Sequence, residues 1–221
     1  MRMIRGLAAM LALVALAPEV VAAQQGRPFK DAWFWGVKLG GMSYSTVLET
    51  NNQAPTIGAD WVITRTRGGV YMSFDHAFFE RESALLDRDP FTGDLMLREV
   101  ELDGMTRVNV MGMGFPFQTQ TVRPYFGLGL ALSHIGSARL GGTFETEDQF
   151  LLLNEQLLEH KTSISPTAMI GAQWALKQVH VFAQAGMTSA QSNFFLNDGD
   201  GGFRYSYEIG VRYNIGRSID R

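Results

Sequence analysis

The sequence predicts an all-β fold: an eight-stranded antiparallel up-and-down transmembrane β-barrel, with a short amphipathic helix in the third external loop. Three observations predict it. First, the stretch Phe203 to Ile215 alternates without a break. Phe203, Tyr205, Tyr207, Ile209, Val211, Tyr213 and Ile215 share one parity; Arg204, Ser206, Glu208, Gly210, Arg212 and Asn214 share the other. A period of two sends successive side chains to opposite faces of a strand, one apolar and aromatic, one polar or small. Second, similar segments recur along the chain, joined by connections that alternate long and short, the asymmetry of barrels with long outer loops and short inner turns. Third, beyond residue 23 no apolar run reaches the eighteen or so residues that a spanning helix needs. A membrane crossing then falls to a closed barrel, the other way to satisfy every backbone group in lipid.

The N-terminus reads as a secretory signal, residues 1–23. Arg2 and Arg5 precede an apolar run from Gly6 to Ala17, and Val21-Ala22-Ala23 offers small residues for cleavage before Gln24. Residues 24–32 form a polar leader with Pro28, expected on the periplasmic side. Removing the signal takes two of the 19 basic and one of the 22 acidic residues, leaving 17 against 21 and a net charge of −4. That balance provides no basic footprint for nucleic acid. The chain has no Cys, which excludes disulfides, thiolate metal sites and a lipoprotein anchor.

Strand one is expected over about Trp33 to Thr46, with Trp33, Trp35, Val37 and Leu39 on one face and Phe34, Gly36, Lys38 and Gly40 on the other. Asn51, Asn52 and Pro55 mark a loop. Strand two, about Thr56 to Thr66, sets Ile57, Ala59, Trp61 and Ile63 against Gly58, Asp60, Val62 and Thr64, and Gly68-Gly69 is expected to be the tight turn. Strand three runs to about Glu80; the charged segment 81–99, with Asp89-Pro90 and Gly93, is read as a long loop. Strand four, about Val100 to Phe115, ends at Pro116. In strand five Phe126, Leu128, Leu130 and Leu132 alternate with Tyr125, Gly127, Gly129, Ala131 and Ser133.

Residues 136–161 form the longest connection. Within it Thr146 and Gln149 make a capping-box signature, and Phe150, Leu153 and Leu157, joined by Leu151 and Leu158, recur at helical spacing. The helix is expected to pack on the barrel rim or at the lipid interface. Strand six, about Ser163 to Leu176, and strand seven, about Val179 to Ala190, flank a turn at Lys177-Gln178. A loop over 191–202 leads to the last strand. The barrel thus spans 33–215, and residues 216–221 form a tail.

Alternation alone does not say which face is inside; a soluble barrel uses the same pattern inverted. Two features favour lipid outside. Gly127, Gly129, Gly171, Gly186 and Gly210 lie on the polar face, where a narrow lumen needs small residues beside large ones. Trp33, Trp35, Trp61, Trp174 and Tyr213 fall near strand ends on the apolar face, as an interfacial girdle requires.

Lys38, Asp60, Asp75, Arg107, Glu208 and Arg212 then point inward, three acids and three bases that can neutralise one another. Strand adjacency suggests Lys38 with Asp60 and Glu208, and Arg212 with either acid. The network reads as a plug of ion pairs, with a gated ion path as the alternative.

No catalytic, cofactor or metal site is expected. The four histidines, His76, His134, His160 and His180, are scattered without metal-ligand spacing. Ser133 and His134 are adjacent in a strand, so they face opposite ways and do not share a proton. Gly127-Leu128-Gly129 lies within a strand with no helix after it, unlike a dinucleotide site.

The final strand resembles the assembly signal of the small outer-membrane β-barrels of Gram-negative-type bacteria. That signal has a polar residue, a spacer, Gly, two spacers, an aromatic, a spacer and a hydrophobic residue, matched by Glu208, Gly210, Tyr213 and Ile215. Many members end on Phe or Trp, whereas this chain continues from Gly216 to Arg221. Through topology and patterning the chain is similar to the barrel domain of OmpA-transmembrane and opacity-type proteins; no peptidoglycan-binding domain follows, so a cell-wall tether is not expected. The resemblance implies an outer-membrane location, outer-membrane lipid as surroundings, and the barrel-assembly machinery and periplasmic chaperones as partners during biogenesis. It implies a non-enzymatic, porin-like cell-envelope protein with surface-exposed loops, in an envelope-structural or surface-contact role with an unspecified external ligand. A narrow channel for small or hydrophobic solutes and a lipid-modifying enzyme are the alternatives.

Overall fold

A computed structural model describes residues 29, 31–46, 48, 50–88, 93–117, 121–142, 144, 146–191, 194–196 and 202–217. The expected signal 1–23, most of the leader and the last four residues of the tail lie outside them. Among the described residues there are eight strands: β1 Ala32–Tyr44, β2 Asn52–Thr64, β3 Gly68–Arg88, β4 Leu95–Gly114, β5 Val122–Leu140, β6 Thr162–Leu176, β7 Val179–Ala190 and β8 Gly202–Arg217. Each pairs antiparallel with its neighbours in sequence, and β8 closes on β1, with Val37 opposite Val211. Closure removes the free edges of the sheet within the barrel. Among the described residues there is one helix, α1, which spans Glu147–His160, and none there is long and apolar enough to cross a membrane.

The alternation sorts side chains as the period requires. Along β1, Val37 and Leu39 are each 61% exposed while Lys38 between them is 4% exposed. Along β8, Tyr207, Ile209, Val211 and Tyr213 face out while Glu208 and Arg212 are buried. A water-soluble barrel would reverse this order. The outer apolar face has defined ends. At the end where the chain enters and leaves the barrel, Trp35 stacks on Trp61 at 5.9 Å and Trp33 meets the same ring at 5.2 Å. Tyr213 lies opposite Trp35, and Trp174 lies two residues from the end of β6. At the other end the outward positions His76, Thr106, His134 and Thr162 are successive ladder partners. His76 Nδ1 bonds Thr106 Oγ1 at 3.3 Å and His134 Nδ1 bonds Thr162 Oγ1 at 2.8 Å. Beyond that polar row the outward positions turn acidic, Glu80 opposite Asp103 and Glu82 opposite Glu101. The apolar face between the two rows has the chemistry of a lipid-facing belt.

Several connections differ from expectation. Gly68 and Gly69 begin β3, and the turn falls at residues 65–67, closed by Arg65 N–H donating to Gly68 O at 2.7 Å. Gly69 permits close strand approach there: a Cβ would stand 2.5 Å from the Ile63 carbonyl oxygen. Most of the expected loop 81–99 is strand. β3 has 21 residues and β4 has 20, and their ladder continues past an irregularity at Ala77/Glu80 to Arg88 opposite Leu95. β5 likewise continues to Leu140, inside the segment expected to be loop. At roughly 3.3 Å per residue, these strands overshoot 12-residue β7 by a large margin. Turn and charge composition signals exposure, and an extended hairpin beyond the bilayer is exposed too, so composition does not separate it from a loop.

Helix α1 forms where the capping box places it. Thr146 Oγ1 accepts from Gln149 N–H at 3.2 Å, and Glu147 and Asp148 occupy the first turn, where the helix dipole favours acids. Leu153 and Leu157 are buried; Phe150, Leu151 and Leu158, grouped with them in the sequence pattern, are exposed. Leu157 enters a second core, above the barrel mouth, with Leu85, Val100, Leu102 and Ile135 of the overshooting strands and with Phe194, Phe195 and Leu196. Asp87 ties this body together. It takes Arg98 Nη2 at 2.8 Å and Gln149 Nε2 at 2.9 Å.

Candidate functional site

The inward parity brings the ionic residues into the narrow lumen, where the ladder and its glycines decide which pair. Gly36 on β1 lies between Arg212 of β8 and Asp60 of β2. Having no side chain, it lets Arg212 reach across. Arg212 Nε donates to both Asp60 oxygens at 3.1 Å and Nη2 donates to Oδ2 at 2.8 Å. One row further, Gly210 and Gly58 flank Lys38, and Asp75 lies past Gly58. Lys38 Nζ therefore meets Asp75 Oδ1 at 2.8 Å, with Glu208 Oε2 at 2.8 Å and Tyr71 OH at 2.9 Å. Nζ donates to Glu208 and Tyr71, and its contact with Asp75 Oδ1 is an ion pair.

This arrangement corrects the expected pairing of Lys38 with Asp60. Direct strand adjacency puts Gly58, not Asp60, opposite Lys38, and the empty position passes the lysine on to the next strand. Arg107 Nη2 completes a four-member ring, 3.3 Å from Asp75 Oδ2 and 3.1 Å from Glu208 Oε1. Each acid touches both bases.

Residues not singled out as site residues join the ionic groups. Gln184 Nε2 donates to Glu208 Oε2 at 2.6 Å and to Tyr71 OH at 3.1 Å, while its Oε1 accepts from Tyr125 OH at 2.9 Å and Arg212 Nη2 at 3.2 Å. It thus bridges the four-member ring to the Arg212–Asp60 pair. Asn109 Nδ2 donates to Asp75 Oδ2 at 2.9 Å. The Arg212 guanidinium lies 3.8 Å from the Phe182 ring centroid, so its face as well as its edge is occupied. The signal for these residues was their inward parity; a Tyr, Gln or Asn there has to find a partner. Arg204, on the polar parity of β8, is also buried.

The ionic layer is closed on both sides. Toward the chain termini lie Phe34, Val62, Met113 and Phe115, sealed by Phe29 of the leader, whose ring stands edge-on to Phe115 at 4.8 Å. Phe29 is fixed by Thr64 Oγ1, which donates to its carbonyl. Toward the loops lies the second core, with Met42, Tyr44 and Met105 at its base. A cavity bordered by Lys38, Tyr71, Arg107, Gln184 and Glu208 has a volume of about 10 Å³, room for about one water molecule.

The remaining sequence candidates are dispersed. Ser133 is buried in the lumen while His134 is on the outer face, bonded to Thr162. His180 packs in the lumen against Phe34 at 4.7 Å, and His160 Nδ1 lies 2.8 Å from the Gln156 carbonyl within α1. Among the described residues no three His, Asp or Glu side chains gather as metal ligands. Glu208 and Gly210 of the assembly-signal pattern face the lumen side, Tyr213 and Ile215 the lipid side.

No family model and no curated protein matches the chain. Among solved structures, Neisserial surface protein A is similar at 13% identity over 83% of this chain and 97% of that one, with a TM-score of 0.52. This is the fold of the small outer-membrane β-barrels. The attachment invasion locus protein Ail of Yersinia pestis aligns over 85% of this chain and all of that one at 11% identity and a TM-score of 0.49. The outer-membrane enzyme PagL aligns at 12% identity over 82% of this chain and 99% of that one, with a TM-score of 0.39. At such identities the likeness is one of fold. In a barrel of this fold the outward apolar belt has the chemistry of a hydrocarbon-facing surface, and the charges lie within.

Proposed function

We propose that this barrel is a closed, non-enzymatic outer-membrane protein whose lumen serves as a rigid post for the body of hairpin, helix and loop built on its outer end. The role is envelope-structural or one of surface contact. The observation that carries the reading is the continuity of side-chain packing through the lumen: an apolar layer sealed by Phe29, an ionic layer in which Lys38, Arg107 and Arg212 are all paired, and an apolar layer continuous with the external core. Small barrels are commonly filled in this way. The exposed chemistry is concentrated outside the belt, in the acidic face of the β3–β4 hairpin and the Leu151–Leu158 face of α1.

The test uses full-length protein in planar bilayers and on cells lacking the chromosomal copy. The barrel adds no steady conductance, and Glu208→Gln, which removes one lumen charge, adds none either. Cells without the protein lose detergent resistance or adherence. Wild-type protein restores the trait and Leu157→Asp, which disrupts the outer body, does not. A steady conductance of purified protein, or loss of lipid acyl chains on its overproduction, overturns the reading in favour of a channel or an enzyme.

A further inference from the structure

Among the described residues four cations, Lys38, Arg107, Arg204 and Arg212, are buried in the lumen against three carboxylates, Asp60, Asp75 and Glu208; the other buried carboxylate, Asp87, pairs with Arg98 in the outer body. The ion pairs consume all three acids on Lys38, Arg107 and Arg212. Arg204 is left over. It is 3% exposed. Its Nη1 approaches Met105 Sδ at 3.6 Å, its Nη2 approaches Ser133 Oγ at 3.5 Å, and the Phe194 ring lies over it at 4.8 Å. All three are neutral and weak partners for a guanidinium. Its Nε–H has no hydrogen-bond partner. Among the described residues the charge that bears on it is that of Arg107, of the same sign.

Arg107 also keeps a buried Nε–H without a partner. Arg107 is the ladder partner of Ser133, whose hydroxyl Arg204 touches, so the two arginines start from positions beside one serine. Further hydroxyls lie on the same inner wall: Ser163 opposite Ser133, and Thr188 opposite Arg204. All are buried. An arginine does not shed its proton to relieve such burial, and an uncompensated charge in a low-dielectric interior is costly.

We propose that Arg204, with Ser133 and the free Nε–H of Arg107, forms a buried site for a small monovalent anion of the halide class, taken up as the barrel folds. The anion balances the fourth cation and accepts from donors that otherwise have none. Its size class follows from the crowding at Arg204, where Met105 Sδ, Ser133 Oγ and the Phe194 ring already stand against the guanidinium. The proposal is independent of the closed-post function: a conducting barrel would still need to balance this charge.

The experiment refolds the full chain from urea into detergent micelles in sodium chloride, sodium bromide or sodium gluconate at one ionic strength, and follows thermal unfolding by circular dichroism. Wild-type protein shows a saturable upward shift in Tm with chloride and bromide relative to gluconate, as binding to the folded state alone requires. Arg204→Met abolishes the shift and melts higher than wild type in gluconate, because the uncompensated charge is gone. Ser133→Ala, which keeps the charge and is expected to fold, needs at least severalfold more chloride for half of the shift. Crystals grown in bromide show an anomalous peak beside Arg204. Equal melting of the wild-type protein in all three salts overturns the proposal. So does a chloride shift retained in Arg204→Met, which would mark an adventitious surface ion only.

Discussion

Arg212 and Asp60 meet through three donor–acceptor contacts of 2.8–3.1 Å across Gly36, with neither side chain open to solvent. Among the described residues no ion pair is more completely desolvated. Its worth shows when one partner is removed: Asp60→Ala strands a buried guanidinium, and the expected loss is about 3–5 kcal/mol in urea unfolding from lipid or detergent. Adding Arg212→Met to Asp60→Ala recovers most of that loss, since an apolar pair of similar volume avoids the desolvation cost. A single-mutant loss under about 1 kcal/mol would mean that Gln173 and Gln184, which also accept from Arg212, hold the arginine unaided.

Gly36 is the geometric condition for that pair. A Cβ at this position would stand 2.7 Å from Arg212 Cγ and closer still to Asp60. Gly36→Ala is therefore expected to destabilise by about 1–3 kcal/mol through overpacking. Gly112→Ala is the control: on the lipid face, a Cβ there finds its nearest neighbour, Leu128 O, at 4.0 Å, and unfolding should shift by no more than about 0.5 kcal/mol. Equal effects at the two sites would show that strand propensity, not room for the ion pair, governs both.

Tyr71 is the hinge between charge and apolar packing. Its hydroxyl accepts from Lys38 Nζ and Gln184 Nε2, while its ring belongs to the layer of Phe34 and Val62. Tyr71→Phe keeps the ring and leaves two buried donors short of an acceptor, a cost of about 1–3 kcal/mol. Unfolding measured alongside Tyr71→Phe/Gln184→Leu separates the two donors. If the hydroxyl's partners are those named, the double variant loses less than the sum of the single ones.

The barrel was legible in the sequence because a strand with one face in lipid and one in a narrow lumen has to alternate, and nothing in β8 breaks that rule. The inward set Lys38, Asp60, Asp75, Arg107, Glu208 and Arg212 followed from the same parity. Who pairs with whom did not. That depends on register across three strands and on glycines that transmit a contact, as Gly58 does between Lys38 and Asp75. The outer body was hidden for a different reason. Residues 81–88 and 95–99 are charged enough to read as loop, yet inward positions such as Leu85 and Val100 remain apolar and pack. Phe194-Phe195-Leu196 carries no period at all; three apolar residues in a Gly/Asp-rich loop were the signal that something there is buried.

The outer body and the membrane barrel are expected to come apart separately. Leu157 joins α1 to the core of Leu85, Val100 and Phe195, while the lipid-facing ladder below it makes no use of the helix. Leu157→Asp places a charge in that core without a partner and should release α1. On intact cells, protease then cuts within 147–160 in the variant and not in the wild type, whereas the β3–β4 hairpin around Arg81 and Arg98 stays uncut because its backbone remains laddered. Thermal unfolding of the barrel in detergent should change by only a few degrees, since local opening need not reach the global transition. A fall in barrel stability as large as that of Asp60→Ala would show that the two cores form one cooperative unit, and that the external structure supports the lumen plug rather than resting on it.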